Sequence, residues 1–338
     1  MKAVGYHKSL PATDPHALVD ITAERPEPAG RDLCVAVKAV SVNPIDTKMR
    51  MRAEAKPGEP PKVLGYDAAG VVEAVGPKVT LFKAGDEVFY AGSIARPGTN
   101  AEFHLVDERI VGAKPKSLSF AQAAALPLTS ITAWELLFDR FGVRPGKAAD
   151  GRALLIIGGA GGVGSIMIQL ARRLTALTVI ATASRPETQS WCTRLGAHHV
   201  IDHTKPLADG LKAIGHDNVA LIASLTCTEQ HFPAYPAIVA PQGRIGMIDD
   251  SKPLDVSLLR RKAVSLHCES MFTRALFKTP DMIAQHYLLD EVAALVDGGM
   301  IVSTANKALT PINAANLRAA HQQIESGTSI GKLVLAGW

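Results

Sequence analysis

The chain has 338 residues, 47% of them hydrophobic and 20% charged, and 36 Lys and Arg against 32 Asp and Glu leave a net charge of +4. That length exceeds one typical core and predicts two domains. The charges are nearly balanced and scattered, which argues against a nucleic-acid surface, and no apolar run approaches the length that spans a bilayer.

The opening segment MKAVGYHKSLP lacks the apolar stretch of a secretory leader. Cys34, Cys192, Cys227 and Cys268 lie far apart with no C-x-x-C pair, so neither a disulfide framework nor a zinc loop is suggested. A cytoplasmic protein with reduced thiols and a small-molecule partner is expected.

From Met1 to about Lys116, short strand-like runs such as 33–40 and 70–75 are punctuated by Pro- and Gly-containing loops, the pattern of an irregular β-rich domain. From about Ser119 helices are predicted over 121–125 and 132–138. Strand-like runs at 154–157, 179–183, 200–201, 219–224, 244–248 and 264–267 then alternate with helical segments. That alternation predicts a doubly wound parallel sheet, an α/β fold. The tail offers helices over 282–296 and 314–325 and a closing strand over 332–336. A tail left over after the nucleotide-binding part is best explained if it returns to the first domain, with a ligand cleft between the two.

Within the alternating part, LLIIGGAGGVGSIMIQLARRL (154–174) carries the most information. Gly159, Gly161 and Gly164 fall on a G-x-G-x-x-G frame between an apolar strand and an amphipathic helix. The first glycine permits the turn, the second lets backbone approach a pyrophosphate, and the third lets helix and strand pack closely. The backbone from Gly159 through Ala160, Gly161, Gly162 and Val163 to Gly164 is therefore expected to hold a dinucleotide, aided by the free N–H groups of the helix start. An acidic residue that would take ribose hydroxyls belongs about 20 positions on. Ser184 and Arg185 stand there instead, and a hydroxyl beside a guanidinium suits a 2′-phosphate. NADPH is the expected cofactor. Ser184 also reads as the cap of the next helix, with Glu187 completing a capping box.

The segments VSVNPIDTKMR (40–50), VLGYDAAGVVEAVG (63–76), GDEV (85–88), AAALPLTSITAWELL (124–137), GGAGGVG (158–164), LGA-x-x-VIDH (195–203) and GKLVL (331–335) follow one another in the order of a known family. The chain resembles the medium-chain dehydrogenase/reductase superfamily, specifically its zinc-free, quinone-oxidoreductase-like branch, over nearly its full length. The resemblance implies a GroES-like β-rich catalytic domain over 1–125, completed by 275–338, and a Rossmann NADP-binding domain over 126–274. It also implies a homodimer joined through the edges of the nucleotide-domain sheets, as is common among related reductases.

Zinc alcohol dehydrogenases of this superfamily hold a catalytic metal with a cysteine, a histidine beside a glutamate and a later ligand. Here Asn43 replaces the cysteine and Tyr66-Asp67 replaces the His-Glu pair, and neither Asn nor Tyr is a good zinc ligand. No metal is expected, although similar proteins are often labelled zinc-type. His198, His199 and His203 do not suggest one either, because adjacent strand side chains alternate in direction. By position, His203 matches a tyrosine that packs near the adenosine end of NADPH in related reductases.

Without a metal the acceptor must already be electrophilic, a quinone or an α,β-unsaturated carbonyl. The resemblance implies that Asn43 and Thr129 lie near the nicotinamide ribose and that backbone around Ile248, Phe272 and Thr273 holds the carboxamide. Tyr66 is the candidate hydrogen-bond donor to the acceptor oxygen. Asp46 and Asp67 are expected to serve as structural hydrogen-bond acceptors. Met271 and Arg274 are candidates for the substrate pocket, and Arg274 reads equally as part of an ion pair. A zinc-dependent alcohol dehydrogenase and a non-catalytic NADPH-binding protein remain the alternatives.

Overall fold

The computed structural model describes residues 1–148 and 150–338. The chain divides into two compact units, Met1–Ile131 with Phe272–Trp338, and Thr132–Met271.

The second unit is built on a six-stranded sheet in the order His199–Ile201, Thr178–Thr182, Ala153–Ile157, Val219–Ser224, Val239–Met247, Ser265–Cys268. Every pairing is parallel. The central strand, ALLII, is buried along its whole length, as a parallel strand covered on both faces must be. The chain starts at this strand, winds outward to one side, then crosses to the other. That reversal leaves a crevice beyond the carboxyl ends of Ala153–Ile157 and its neighbours, where such sheets bind ligands. The strand predicted at 244–248 begins earlier, at Val239, and ends at Met247, so Ile248 lies just past its carboxyl end.

The first unit holds a three-stranded sheet and a seven-stranded, largely antiparallel one. Leu33, Val35, Val40, Val72, Val88, Tyr90, Leu317 and Leu335 are among the side chains of its core. The last strand, Lys332–Ala336, runs antiparallel to Asp32–Val42 with Leu333 opposite Val42. On the other side of Asp32–Val42, the strand Asp67–Val75 places Asp67 opposite Ser41. Three chain segments remote in sequence are thereby brought to one corner.

A helix over Pro44–Arg52 starts at that corner, and no periodicity announced it. Its buried residues are Asp46, Thr47 and Arg50, which a search for apolar spacing passes over. Arg50 is fully enclosed and donates to Leu10 O (3.1 Å) and Glu325 (2.5 Å), with His321 Nδ1 at 2.8 Å. The helix predicted over 132–138 is instead an α-helix from Pro127 to Trp134 that widens into a π-turn over Glu135–Arg140. Among the described residues no helix is long and apolar enough to cross a membrane.

Candidate functional site

The glycine turn occupies the carboxyl end of the central strand of the second unit. Gly158 turns the chain with φ +83°, and its N–H donates to Thr182 Oγ1 at 3.0 Å. Gly159 donates to Thr182 O at 3.1 Å, and a Cβ on it would lie 2.7 Å from Ala181 Cβ. The helix Gly162–Leu174 then begins, with Gly161 as its N-cap. A Cβ on Gly164 would stand 2.4 Å from Gly158 O, so the first turn can press onto the strand only as glycine. At Gly161 the nearest atom to a Cβ would be Gly158 O at 3.4 Å, an ordinary contact, so this glycine is not demanded by protein packing. The turn therefore has glycines enforced from within on both sides of one that leaves room for a ligand. The N–H groups of Gly162, Val163 and Gly164, in the first helical turn, have no carbonyl four residues back within the helix and suit an anion. Ser165 and Trp191 brace the helix, the indole N–H donating to Ser165 Oγ at 2.8 Å.

Ser184 and Arg185 follow the carboxyl end of the neighbouring strand, Thr178–Thr182, and both are half-buried. The capping box expected from Ser184 and Glu187 does not form. Arg185 is the N-cap, its N–H donates to Thr188 Oγ1 at 3.2 Å, and Glu187 pairs with the Arg185 guanidinium at 3.2 Å. The proline at the first helical position fixes that start one residue later than the box requires. His203 follows the strand His199–Ile201; its Nδ1 is buried without a hydrogen-bond partner among the described residues, and its ring stands edge-on to His231, 6.2 Å away. The three histidines expected not to bind a metal are turned apart: His198 Nδ1 accepts the Val179 N–H at 2.9 Å, and His199 faces His216 at 6.1 Å.

In the first unit, the corner of the seven-stranded sheet carries a closed polar network. Asp67 is fully buried; its Oδ2 accepts from Ser41 Oγ (2.8 Å), Asn43 Nδ2 (2.7 Å) and Lys332 Nζ (3.2 Å), and its Oδ1 accepts the Leu128 N–H at 2.8 Å. Lys332, 3% exposed, also donates to Val42 O at 3.1 Å and to Asn43 Oδ1. Asn43 is the N-cap of Pro44–Arg52, and its N–H donates to Asp46 Oδ2 at 2.6 Å. Among the described residues Asp46 Oδ1 has no partner. Burial pushes the Asp46 carboxyl up to about 7, the Asn43 N–H and Lys332 opposing and Asp67 adding to the rise. Asp46 accepts a hydrogen bond as expected, but with its carboxyl at about 7 it is close to half protonated at neutral pH rather than a plain carboxylate. Nothing in its type or spacing signals this; enclosure does.

Tyr66 adjoins this network. Gly65 before it has φ +104°, and a Cβ there would lie 2.5 Å from Thr99 Oγ1. Tyr66 is 3% exposed and packs edge-on against Phe272 at 5.3 Å. Burial, then the nearby Asp46, pushes its phenol well above the usual range, so it keeps its proton. Thr129 is buried and donates to Leu126 O at 3.1 Å, so its hydroxyl serves the helix backbone. Met271 is buried in the second unit, and Thr273 opens the short helix Thr273–Phe277 of the first. Arg274 is engaged by Asp281 at 3.0 Å, the ion-pair alternative for that residue. Among the described residues no group of three or more His, Cys, Asp or Glu is placed to hold a metal ion.

A parallel sheet with a glycine cradle at its reversal point, joined to a β-rich unit with a buried polar corner, defines a two-domain oxidoreductase that uses a nicotinamide cofactor. Residues 29–129 match the alcohol dehydrogenase GroES-like domain and residues 162–285 the zinc-binding dehydrogenase family. A zinc-type alcohol dehydrogenase-like protein of Staphylococcus aureus is 39% identical over 340 residues, 99% of each chain. A crystal structure from Rhizobium etli, described as a candidate zinc-dependent alcohol dehydrogenase, superposes with TM-score 0.96 at 59% identity, covering 100% of this chain and 98% of that one. The Escherichia coli quinone oxidoreductase complexed with NADPH superposes with TM-score 0.83 at 25% identity, covering 99% of this chain and 100% of that one. The chain belongs to the medium-chain dehydrogenase/reductase superfamily.

Proposed function

We propose that this protein is an NADPH-dependent reductase that delivers hydride to a quinone or an α,β-unsaturated carbonyl without a catalytic metal. The observation that carries this reading is the position of the Lys332 ammonium on Asn43 Oδ1 and Asp67 Oδ2. The residues at that corner do not fit zinc. Asn43 turns its oxygen onto a cation already present, Asp67 has its oxygens committed to four donors, and the phenol of Tyr66 keeps its proton where a ligand would have to lose it. The names of the Staphylococcus and Rhizobium relatives favour zinc-dependent alcohol oxidation; the donor set here does not.

The glycine cradle fits a dinucleotide, because the one glycine not required by packing is the one at which a ligand would approach. When bound, NADPH supplies the hydride. The N–H groups of Gly162 to Gly164 would hold the pyrophosphate, and Ser184 and Arg185 the 2′-phosphate. His203, with its unpartnered nitrogen, would lie on the adenosine side. The backbone near Ile248, Phe272 and Thr273 would orient the nicotinamide, with Asn43 and Thr129 toward its ribose. Tyr66, kept protonated by burial, donates a hydrogen bond to the acceptor oxygen as negative charge develops on it. Met271 belongs to the apolar wall.

The strand Ser265–Cys268 ends the parallel sheet with an open edge, and Val256 and Leu258 before it are 53% and 51% exposed. Both features support a homodimer formed through this edge. The test of the function is steady-state turnover with NADPH and NADH against quinones, enones and aldehydes, with metal content measured on the same sample. NADPH-linked reduction that survives a chelator is expected. One tightly bound zinc per chain, lost together with activity, would establish the alcohol dehydrogenase reading instead.

A further inference from the structure

The first unit contains a cavity of about 440 Å³ that is lined by none of the residues assigned to the reduction. Small-molecule sites typically measure about 300–1,000 Å³. Its walls come from the strand Phe103–Asp107, the turn Glu108–Ile110, the loop after Glu87–Ala91 and the short helix Thr273–Phe277. Strand pairing sets Asp32 directly opposite Asp107, and like charges so placed repel each other. Each is matched by its own arginine. Arg96 holds Asp32 through two bonds of 2.8 and 2.9 Å, and Arg109 holds Asp107 through Nε at 2.9 Å and Nη2 at 2.8 Å.

Once those pairs are made, one cation and a set of unused donors remain. Lys278 ends the helix Thr273–Phe277 with φ +50°, and its ammonium has no acceptor among the described residues. Asp281, the nearest acid in sequence, is engaged by Arg274 at 3.0 Å. The bonds to Asp107 leave both hydrogens of Arg109 Nη1 free among the described residues. Ser93, 8% exposed, accepts the Ala95 N–H at 3.3 Å, so its own hydroxyl hydrogen is unclaimed among the described residues. The same cavity has apolar walls, with Ile110 and Met282 buried and Leu276 40% exposed.

We propose that this cavity binds an amphipathic monocarboxylate of the medium-chain fatty-acid class, its head taken by Lys278, Arg109 and Ser93 and its hydrocarbon laid against Leu276, Ile110 and Met282. Three cations and two carboxylates line the cavity. One carboxylate head neutralises the surplus, whereas a phosphate dianion exceeds it. A small bare anion leaves the apolar walls in water, and a plain hydrocarbon covers the Ser93 hydroxyl and the Lys278 ammonium without giving either an acceptor. A carboxylate on a hydrocarbon chain meets both requirements, because its two oxygens accept from several donors at once. This assignment stands apart from the reductase reading and does not depend on it.

The experiment titrates the whole chain with octanoate by calorimetry, with acetate and 1-octanol as the isolated head and the isolated tail. Octanoate is expected to bind at least about tenfold more tightly than either. Lys278→Asn removes the ammonium with a residue that tolerates the left-handed backbone, and Leu276→Glu sets a charge like the ligand's on the exposed wall. Each should weaken octanoate by about tenfold or more while leaving the melting temperature in place. Absence of octanoate binding, octanol bound as tightly as octanoate, or an octanoate affinity unchanged in both variants would overturn the proposal. If neither variant folds, the wild-type protein with ¹³C-methyl methionine decides. Octanoate must then shift the Met282 methyl signal, and a signal that stays in place when octanoate saturates the protein overturns the assignment.

Discussion

Lys332, in the last strand of the chain, places its ammonium 3.2 Å from the carboxylate of Asp67, 265 residues earlier, with both side chains buried. Strand register produces this pair, since Leu333 lies opposite Val42 and Asp67 opposite Ser41. Removing one partner of a buried ion pair leaves the other charge enclosed and uncompensated, which typically costs about 3–5 kcal/mol. Lys332→Met should therefore lower unfolding stability in urea by that order, and Asp67→Asn in the same chain should recover part of the loss. A single-variant loss below about 1 kcal/mol would show that the network tolerates the charge without its lysine.

Asp46 makes stability depend on pH in a definite direction. Its carboxyl lies at about 7 in the folded protein against an ordinary value of 3.8, so between those limits the native state binds more proton than the unfolded chain. The contribution of this group is full below about pH 4 and is lost as pH rises to 7. Asp46→Asn, which cannot titrate, should flatten the melting profile across that window relative to wild type. An unchanged difference between the two proteins from pH 4.5 to 7.5 would contradict the protonated state.

The sheet and its glycine turn were legible in the sequence because they rest on local signals. An apolar β run, a glycine turn and an amphipathic helix adjoin one another in 154–174, and the observed strand and helix fall there. The closing elements Ala314–Glu325 and Lys332–Ala336 are likewise marked by their own periodicity. The polar corner was not legible. The helix Pro44–Arg52 buries polar residues, so apolar spacing is silent there, and Lys332 reads as an ordinary surface lysine until the register sets it beside Asn43. The start of the helix after Arg185 was missed for a local reason: Pro186 overrides a plausible capping box.

The two inner glycines of the turn should respond differently to a methyl group. Gly164→Ala drives a Cβ to within 2.4 Å of Gly158 O, a backbone atom that cannot swing aside, and overpacking of this kind costs about 1–3 kcal/mol. Gly161→Ala meets protein only at 3.4 Å and has φ −71°, so the fold should be unaffected. Its dinucleotide affinity should nevertheless fall about tenfold or more, because the methyl group fills the approach path of the pyrophosphate. Calorimetric titration with NADPH beside thermal unfolding separates the two effects. Equal loss of stability in both variants would mean that Gly161 is a packing glycine after all.

Cofactor choice should be reversible at Ser184 and Arg185. Arg185 pairs with Glu187 at 3.2 Å with the two side chains 40% and 55% exposed, and exposed pairs of this kind contribute about 0–1 kcal/mol. A charge-assisted bond to a 2′-phosphate contributes about 1.5–3 kcal/mol, so under the proposed function the phosphate would outcompete Glu187. Arg185→Ala should then weaken NADPH roughly 10- to 100-fold and leave NADH nearly unchanged. Ser184→Asp should go further. Its carboxylate repels the 2′-phosphate and accepts the ribose hydroxyls of NADH, at the carboxyl end of the second strand where an acid does so in NAD-binding sheets. Measured as kcat/KM with each cofactor and one acceptor, the preference should pass from NADPH to NADH. If both variants keep the wild-type ratio, the 2′-phosphate is read elsewhere, and His203, whose buried Nδ1 lacks a partner, is the next residue to replace.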